Sequence, residues 1–113
     1  MPSQTERRAS PRFLMACRVR YRVIGQDAYA TFSHGKTVNM SGSGILLVTD
    51  GVLAPGRLIE VEIEWPTRLD DGVPLKMVVR GTVVRSEKRD VALAGVRIVR
   101  YDFRTAGLQP GDR

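Results

Sequence analysis

Two short clusters hold the side chains of this chain best suited to chemistry. Arg7-Arg8-Ala9-Ser10-Pro11-Arg12 gathers three guanidinium groups, and Asn39-Met40-Ser41-Gly42-Ser43-Gly44 sets an amide and two hydroxyls in a glycine-rich turn. A guanidinium is a planar fork that holds phosphate bidentately and stacks on flat rings. A Gly-rich turn feeding a strand presents backbone N–H groups to an anion. Neither cluster pairs a nucleophile with a base. Their chemistry is the grip of a small anionic ligand carrying phosphates and flat bases, not the breaking of a bond.

The other reactive types point the same way. The chain has one cysteine, Cys17, and one histidine, His34. Cys17 falls on the apolar side of an alternating run and reads as a small core residue. His34, in Ser33-His34-Gly35, reads as a solvated turn histidine. No His/Cys/acid cluster has the spacing a zinc site requires. Glu60, Glu62 and Glu64 recur every second residue, a row of carboxylates on one strand face whose ordinary role is a solvated outer surface. Ser41-Gly42-Ser43-Gly44 lacks the Lys-Ser/Thr and the helix of a triphosphate-binding loop. Taken alone it is a tight turn in which Asn39 bonds locally. No catalytic residue, metal or cofactor is expected.

The elements that must position these clusters are β-strands. Cys17, Val19, Tyr21 and Val23 alternate with Arg18, Arg20 and Arg22, the period of a half-buried strand. Gly25-Gln26-Asp27 is a turn, and Ala28–Phe32 is expected to return as a second strand, broken at Ser33-His34-Gly35 before Lys36–Val38. Gly44–Thr49 is a short apolar run expected to be buried on both faces. Leu58–Trp65 alternates Ile59, Val61, Ile63 and Trp65 with the three glutamates, and Pro66 is expected to end it. Leu75–Arg85 and Val91–Tyr101 make two further β-rich runs joined by a charged loop, with Gly81 and Gly95 marking bulges. Six or seven strands on short turns, with no helical period, predict an all-β fold: a small antiparallel barrel or sandwich. The expected organisation is a flexible arm over 1–12, a barrel over 13–104 and a short tail over 105–113.

Composition bounds the function. With 113 residues, 42% hydrophobic and 27% charged, the chain is an ordinary single globular domain. It has no apolar stretch of membrane-spanning length and no secretory h-region, so a cytoplasmic location without membrane insertion is the expectation. The net charge of +6 is uneven. Residues 1–22 hold six arginines against Glu6 alone, while the remaining ninety-one hold twelve basic and eleven acidic side chains. The excess sits at one end and consists of Arg rather than Lys, which favours anion binding over mere solubility.

Arg8-x-x-x-Arg12, a linker, then Asn39-x-Ser41-x-x-Gly44 leading into a strand resembles the PilZ domain family. The likeness extends over nearly the whole chain, with Arg80-Gly-Thr-Val-Val-Arg85 and Ala94-Gly-Val-Arg-Ile98 similar to the closing half of such a domain. The resemblance implies a six-stranded split-barrel type of fold and binding of the bacterial second messenger cyclic di-GMP. By position, Arg8 and Arg12 match the family's arginine pair, which contacts guanine edges and phosphates. Asn39 matches the acid-or-amide position that bonds a guanine edge, Ser41 the motif serine, and Gly44 the glycine that closes the turn. Arg7 fits only as a neighbour, its offset to Arg12 being one residue too long.

The expected function is therefore that of a stand-alone receptor and adaptor for cyclic di-GMP in signal transduction, relaying its state to an unidentified protein partner by contact. The main rival is a ligand-independent PilZ-like interaction module. A nucleic-acid-binding barrel ranks last, because that role needs exposed aromatics on a strand face. Only seven aromatic residues are present, and Tyr21 and Trp65 fall on expected core faces.

Overall fold

The computed structural model describes residues 16–25, 31–68 and 71–105. The arginine cluster Arg7, Arg8 and Arg12 and residues 106–113 of the tail expected over 105–113 lie outside them, while Thr105 is a strand residue.

Six strands close into one antiparallel barrel. They are β1 (Arg18–Val23), β2 (Ser33–Met40), β3 (Gly44–Thr49), β4 (Leu58–Arg68), β5 (Pro74–Lys88) and β6 (Ala92–Thr105). Around the barrel the order is β1-β2-β3-β6-β5-β4, with β4 returning to β1. Closure leaves the pairing of the central residues complete and hides both edges of the sheet over most of its length.

Alternation in sequence becomes alternation of face. Val19 and Tyr21 point inward from β1, as do Ile45 and Leu47 from β3 and Ile59, Val61 and Ile63 from β4. Met77, Val79 and Val83 of β5 and Val96 of β6 complete one contiguous core with Met40 and Cys17. Each fully buried Val or Ile contributes about 1.5–3 kcal/mol relative to exposure. The Tyr21 hydroxyl, at the inner end of a buried ring, accepts a hydrogen bond from the Asp50 N–H at 2.8 Å.

Long strands must bend to close so small a barrel. The β5–β6 register shifts between Arg80 and Gly81 and again between Val83 and Arg85, which is opposite Gly95. Both glycines therefore mark bulges, as their placement inside apolar runs predicts. The turns at Gly25 and Gly56 are taken with φ of 84° and 92°, the left-handed region open to glycine.

Several boundaries differ from the sequence reading. Thr31 and Phe32 are not in a strand; the second strand is Ser33–Met40, so the expected strand Ala28–Phe32 is displaced, its residues 28–30 lying outside those described. His34 is consequently a strand residue opposite Arg20 rather than a turn residue. Gly35 lies in the strand because β2 and β3 run close there: a Cβ would collide with the Val48 carbonyl oxygen. β3 buries only its inward side chains fully; Leu46 and Val48 are half-buried on the outer face. β4 continues past Pro66 to Arg68. Its pairing with β1 has already ended at Ile63 and its register with β5 is interrupted after Glu64, so the missing proline N–H breaks no regular ladder there.

Candidate ligand-binding rim

The Asn39–Gly44 segment folds as a tight connection between β2 and β3, and Ser41 organises it. The Ser41 N–H donates to the Gly44 carbonyl at 2.8 Å. In return the Ser41 hydroxyl oxygen accepts from the Ser43 and Gly44 N–H groups, both at 3.3 Å, and lies 3.3 Å from the Ser43 hydroxyl. The short polar side chain replaces the backbone partners that a turn leaves unmet. The Ile98 N–H donates to the Ser43 carbonyl at 2.9 Å, so the turn is also pinned to β6.

Asn39 reaches the outer face through a bulge. The β2–β3 register shifts between Thr37 and Asn39, with Val38 as the extra residue. Thr37 stays buried, Asn39 comes opposite the outward Leu46, and Met40 turns back into the core opposite Ile45. Without the bulge, strict alternation from Thr37 would carry Asn39 inward. Asn39 is half-buried and makes no side-chain hydrogen bond among the described residues, so it is not the local turn-former expected from sequence; Ser41 has that role. Gly44 lies opposite Arg97, and a Cβ there would come within 3.2 Å of the Val96 carbonyl oxygen.

The chain enters the barrel beside this turn. The Thr37 N–H donates to the Cys17 carbonyl at 2.9 Å, and the Cys17 N–H donates to the Thr37 hydroxyl at 2.9 Å. Because β1 and β2 are antiparallel, stepping upstream from Cys17 runs in the same direction as stepping from Thr37 to Asn39 and Ser41. Ala16, the first described residue, thus lies on the side of the barrel toward the turn. Asn39, Ser41 and Gly44 are brought together; Arg7, Arg8 and Arg12 are outside the described residues.

Two cations on the same outer face carry no site role in the sequence reading. Directly opposite residues share a face of the sheet. The pairs Asn39↔Leu46, Leu46↔Gly95 and Gly95↔Arg85 form one row across four strands, and Gly44↔Arg97 forms the row beside it. The Arg85 stem lies over Gly95, close enough that a Cβ would meet its Cγ and Nε at 3.0 Å. Arg85 and Arg97 are both exposed. Their outward parity in β5 and β6 is visible in the sequence, but their place in the rows of Asn39 and Gly44 depends on strand order.

The remaining N-terminal arginines behave differently. Arg20 Nε donates to Glu62 at 2.8 Å, and Arg22 donates through Nε and Nη2 to Glu60 at 3.2 and 3.0 Å. Both guanidinium groups also stand over the Phe32 ring, 4.2 and 4.8 Å from its centroid. Lys76 Nζ adds a third cation, 3.2 Å from Glu62. Burial pushes the Glu62 carboxyl upward, but the hydrogen bonds and charges of Arg20 and Lys76 outweigh it and hold the group below the usual glutamate range. The glutamate row is thus the counterpart of the arginine row of β1. The cations free for a ligand are fewer than the charge count of residues 1–22 suggests.

Among the described residues, no group of three or more His, Cys, Asp or Glu could hold a metal ion, and no helix is long and apolar enough to cross a membrane. Two aromatics unforeseen in the sequence reading are exposed, Tyr101 and Phe103 on β6. They share a face with Val79 and Met77, whereas Arg100 and Arg104 pair across from Arg80 and Lys76 on the other face. Stacking surface and cations are therefore separated, unlike a single-strand-binding groove.

Comparison with known proteins agrees with this architecture. The chain is similar to the structure of Bacillus subtilis inhibitor of motility (MotI/DgrA), with a TM-score of 0.64 and 15% identity. The similarity covers 84% of this chain and 44% of that one, so the present chain corresponds to less than half of its structural neighbour. No curated protein matches it. The model of the PilZ domain matches residues 6–108, a span that takes in the arginine cluster, the Asn39–Gly44 turn and all six strands, and the chain belongs to the PilZ domain family.

Proposed function

We propose that this protein binds cyclic di-GMP at the barrel rim and acts as a signalling adaptor through protein contact. PilZ domains are in general receptors for this nucleotide and serve as binding modules rather than enzymes. In this reading Asn39 bonds a guanine edge, the Ser41–Gly44 turn receives a phosphate, and Arg8 and Arg12 clamp bases and phosphates from above, with Arg7 alongside. Guanine O6 and N7 form a paired acceptor that suits an arginine fork. Arg97, opposite Gly44, and Arg85, farther along the Asn39 row, add positive potential on the outer face, which favours a ligand with two phosphate charges.

The observation that carries the reading is the clamp between Cys17 and Thr37, which launches the upstream chain from the rim holding Asn39 and Ser41. Arg12 lies four residues before Ala16 and Arg8 eight, giving reaches of at most about 14 and 29 Å in extended chain. Both guanidinium groups can meet a ligand seated on the turn.

Calorimetric titration with cyclic di-GMP tests this directly. Saturable binding is expected, abolished by Arg8→Ala or Arg12→Ala and weakened by Ser41→Ala. Absence of heat and of saturation in the wild-type protein would overturn the assignment. Unchanged affinity in the arginine variants would remove the arm from the site.

A further inference from the structure

β6 outruns its neighbour. β3 pairs with Ala92–Arg97 only, and the last tie on that side is the Ile98 N–H to Ser43 bond. On its other side β6 remains paired with β5 from Arg100 to Thr105. Among the described residues, no strand pairs with the β3-side edge of Val99–Thr105. Such an edge is a row of backbone donors and acceptors open to another strand.

The side chains along it do not protect it. Val99, Tyr101 and Phe103 are 63%, 53% and 47% exposed, and Phe103 packs edge-on against Trp65 with centroids 5.0 Å apart. Charges of one sign discourage edge pairing, but here Arg100, Asp102 and Arg104 alternate in sign. Alternation permits a strand to pair with its own copy in one register.

We propose that this edge joins the same edge of a second copy, antiparallel about a two-fold axis at Phe103. In that register each Asp102 faces the partner's Arg104, each Tyr101 faces the partner's Thr105, and Phe103 faces the partner's Phe103. Opposite charges meet twice on one face, and aromatic rings meet on the other. Moving the axis to Asp102 sets Asp102 against itself and Arg100 against Arg104. Moving it to Tyr101 opposes Arg100 to Asp102, but sets the partner's Arg104 and the partner's Thr105 against Ile98 and Arg97, where Ser43 and Gly44 already pair. A shift of half a step opposes Phe103 to a charged residue and mixes the two faces. The register about Phe103 satisfies both faces along the open edge, and as an isologous contact it closes at two subunits rather than growing into a fibre.

Sedimentation equilibrium of the full chain without nucleotide, from micromolar to millimolar concentration, tests the proposal. A reversible monomer–dimer equilibrium is expected. Asp102→Arg should weaken it roughly tenfold or more, since two attractive cross-strand pairs become repulsive. Combining Arg104→Asp with Asp102→Arg restores opposite charges in the same register and should restore the dimer, with circular dichroism verifying the barrel in each variant. A wild-type protein that stays monomeric throughout overturns the proposal. So does a dimer indifferent to Asp102→Arg, or a folded double variant that fails to recover. None of these readouts depends on nucleotide binding.

Discussion

Cys17 and Thr37 hold each other by two hydrogen bonds of 2.9 Å, one between backbones and one from the Cys17 N–H to the Thr37 hydroxyl. Both residues are buried, so this doubly tied pair fixes the start of the described chain against β2. It also lies immediately before the bulge that turns Asn39 outward. Thr37→Val keeps the volume but strips the acceptor from a buried N–H. The expected cost is about 1–3 kcal/mol, read as a lower urea midpoint at unchanged m-value. If the arm and the turn share one ligand, the same variant should weaken cyclic di-GMP binding although it touches no proposed ligand contact.

In the proposed complex Asn39 would offer a guanine edge one carbonyl oxygen, with the amide's N–H₂ donors competing at the same edge. A carboxylate there would accept from both guanine N1–H and N2–H. Charge-assisted bonds exceed neutral ones by about 1 kcal/mol, so Asn39→Asp should tighten cyclic di-GMP binding roughly fivefold. Titration calorimetry at fixed salt checks it. Loss of affinity would mean that Asn39 faces a phosphate rather than a base.

How far such residues can be recognised in the sequence depends on whether their meaning is local. The rows Arg18/Arg20/Arg22 and Glu60/Glu62/Glu64 are plain as alternations, and so are the core positions between them. That the two rows neutralise each other is not, because Arg20–Glu62 and Arg22–Glu60 are 42 and 38 positions apart and meet only when β4 closes onto β1. Gly81 and Gly95 are legible as bulges because each interrupts an apolar run. Gly35 is misleading for the same reason: beside Ser33 and His34 it looks like a turn, while its actual cause is a backbone from another strand. The Asn39–Gly44 turn is legible as a motif, yet the outward rotation of Asn39 depends on a one-residue bulge against β3 that no local pattern announces.

Glu62 makes the ion-paired band a source of pH-dependent stability. Its carboxyl is held below the ordinary range in the folded barrel by Arg20 and Lys76. A depressed folded value means the stabilisation is fully present above the unfolded glutamate range and is lost as pH falls through the folded one. Glu62→Gln should therefore cost about 1 kcal/mol near neutrality, Arg20 being half exposed and its pair partly screened. The difference between variant and wild type should vanish in acid. Urea denaturation at neutral pH and at successive steps below the ordinary glutamate range separates this from a packing defect, which would persist throughout.

The close approach of β2 and β3 at Gly35 predicts a severe single substitution in the described barrel. A methyl group at that position would overlap the Val48 carbonyl oxygen and come within 3.5 Å of the Tyr21 ring. The oxygen belongs to backbone in a paired strand, where Lys36 and Val48 are partners, so it cannot rotate aside as a side-chain tip would. Relief requires the two strands to separate or slip, and slippage would carry Thr37 and Met40 out of the core. Gly35→Ala is thus expected to cost about 2–3 kcal/mol or more, at the upper end of overpacking effects. Gly51→Ala, in open space on the β3–β4 connection, should cost little by comparison. Equal denaturation midpoints for the two variants would show that the strands part freely at Gly35, and with that the fixed placement of the Asn39 turn would be lost.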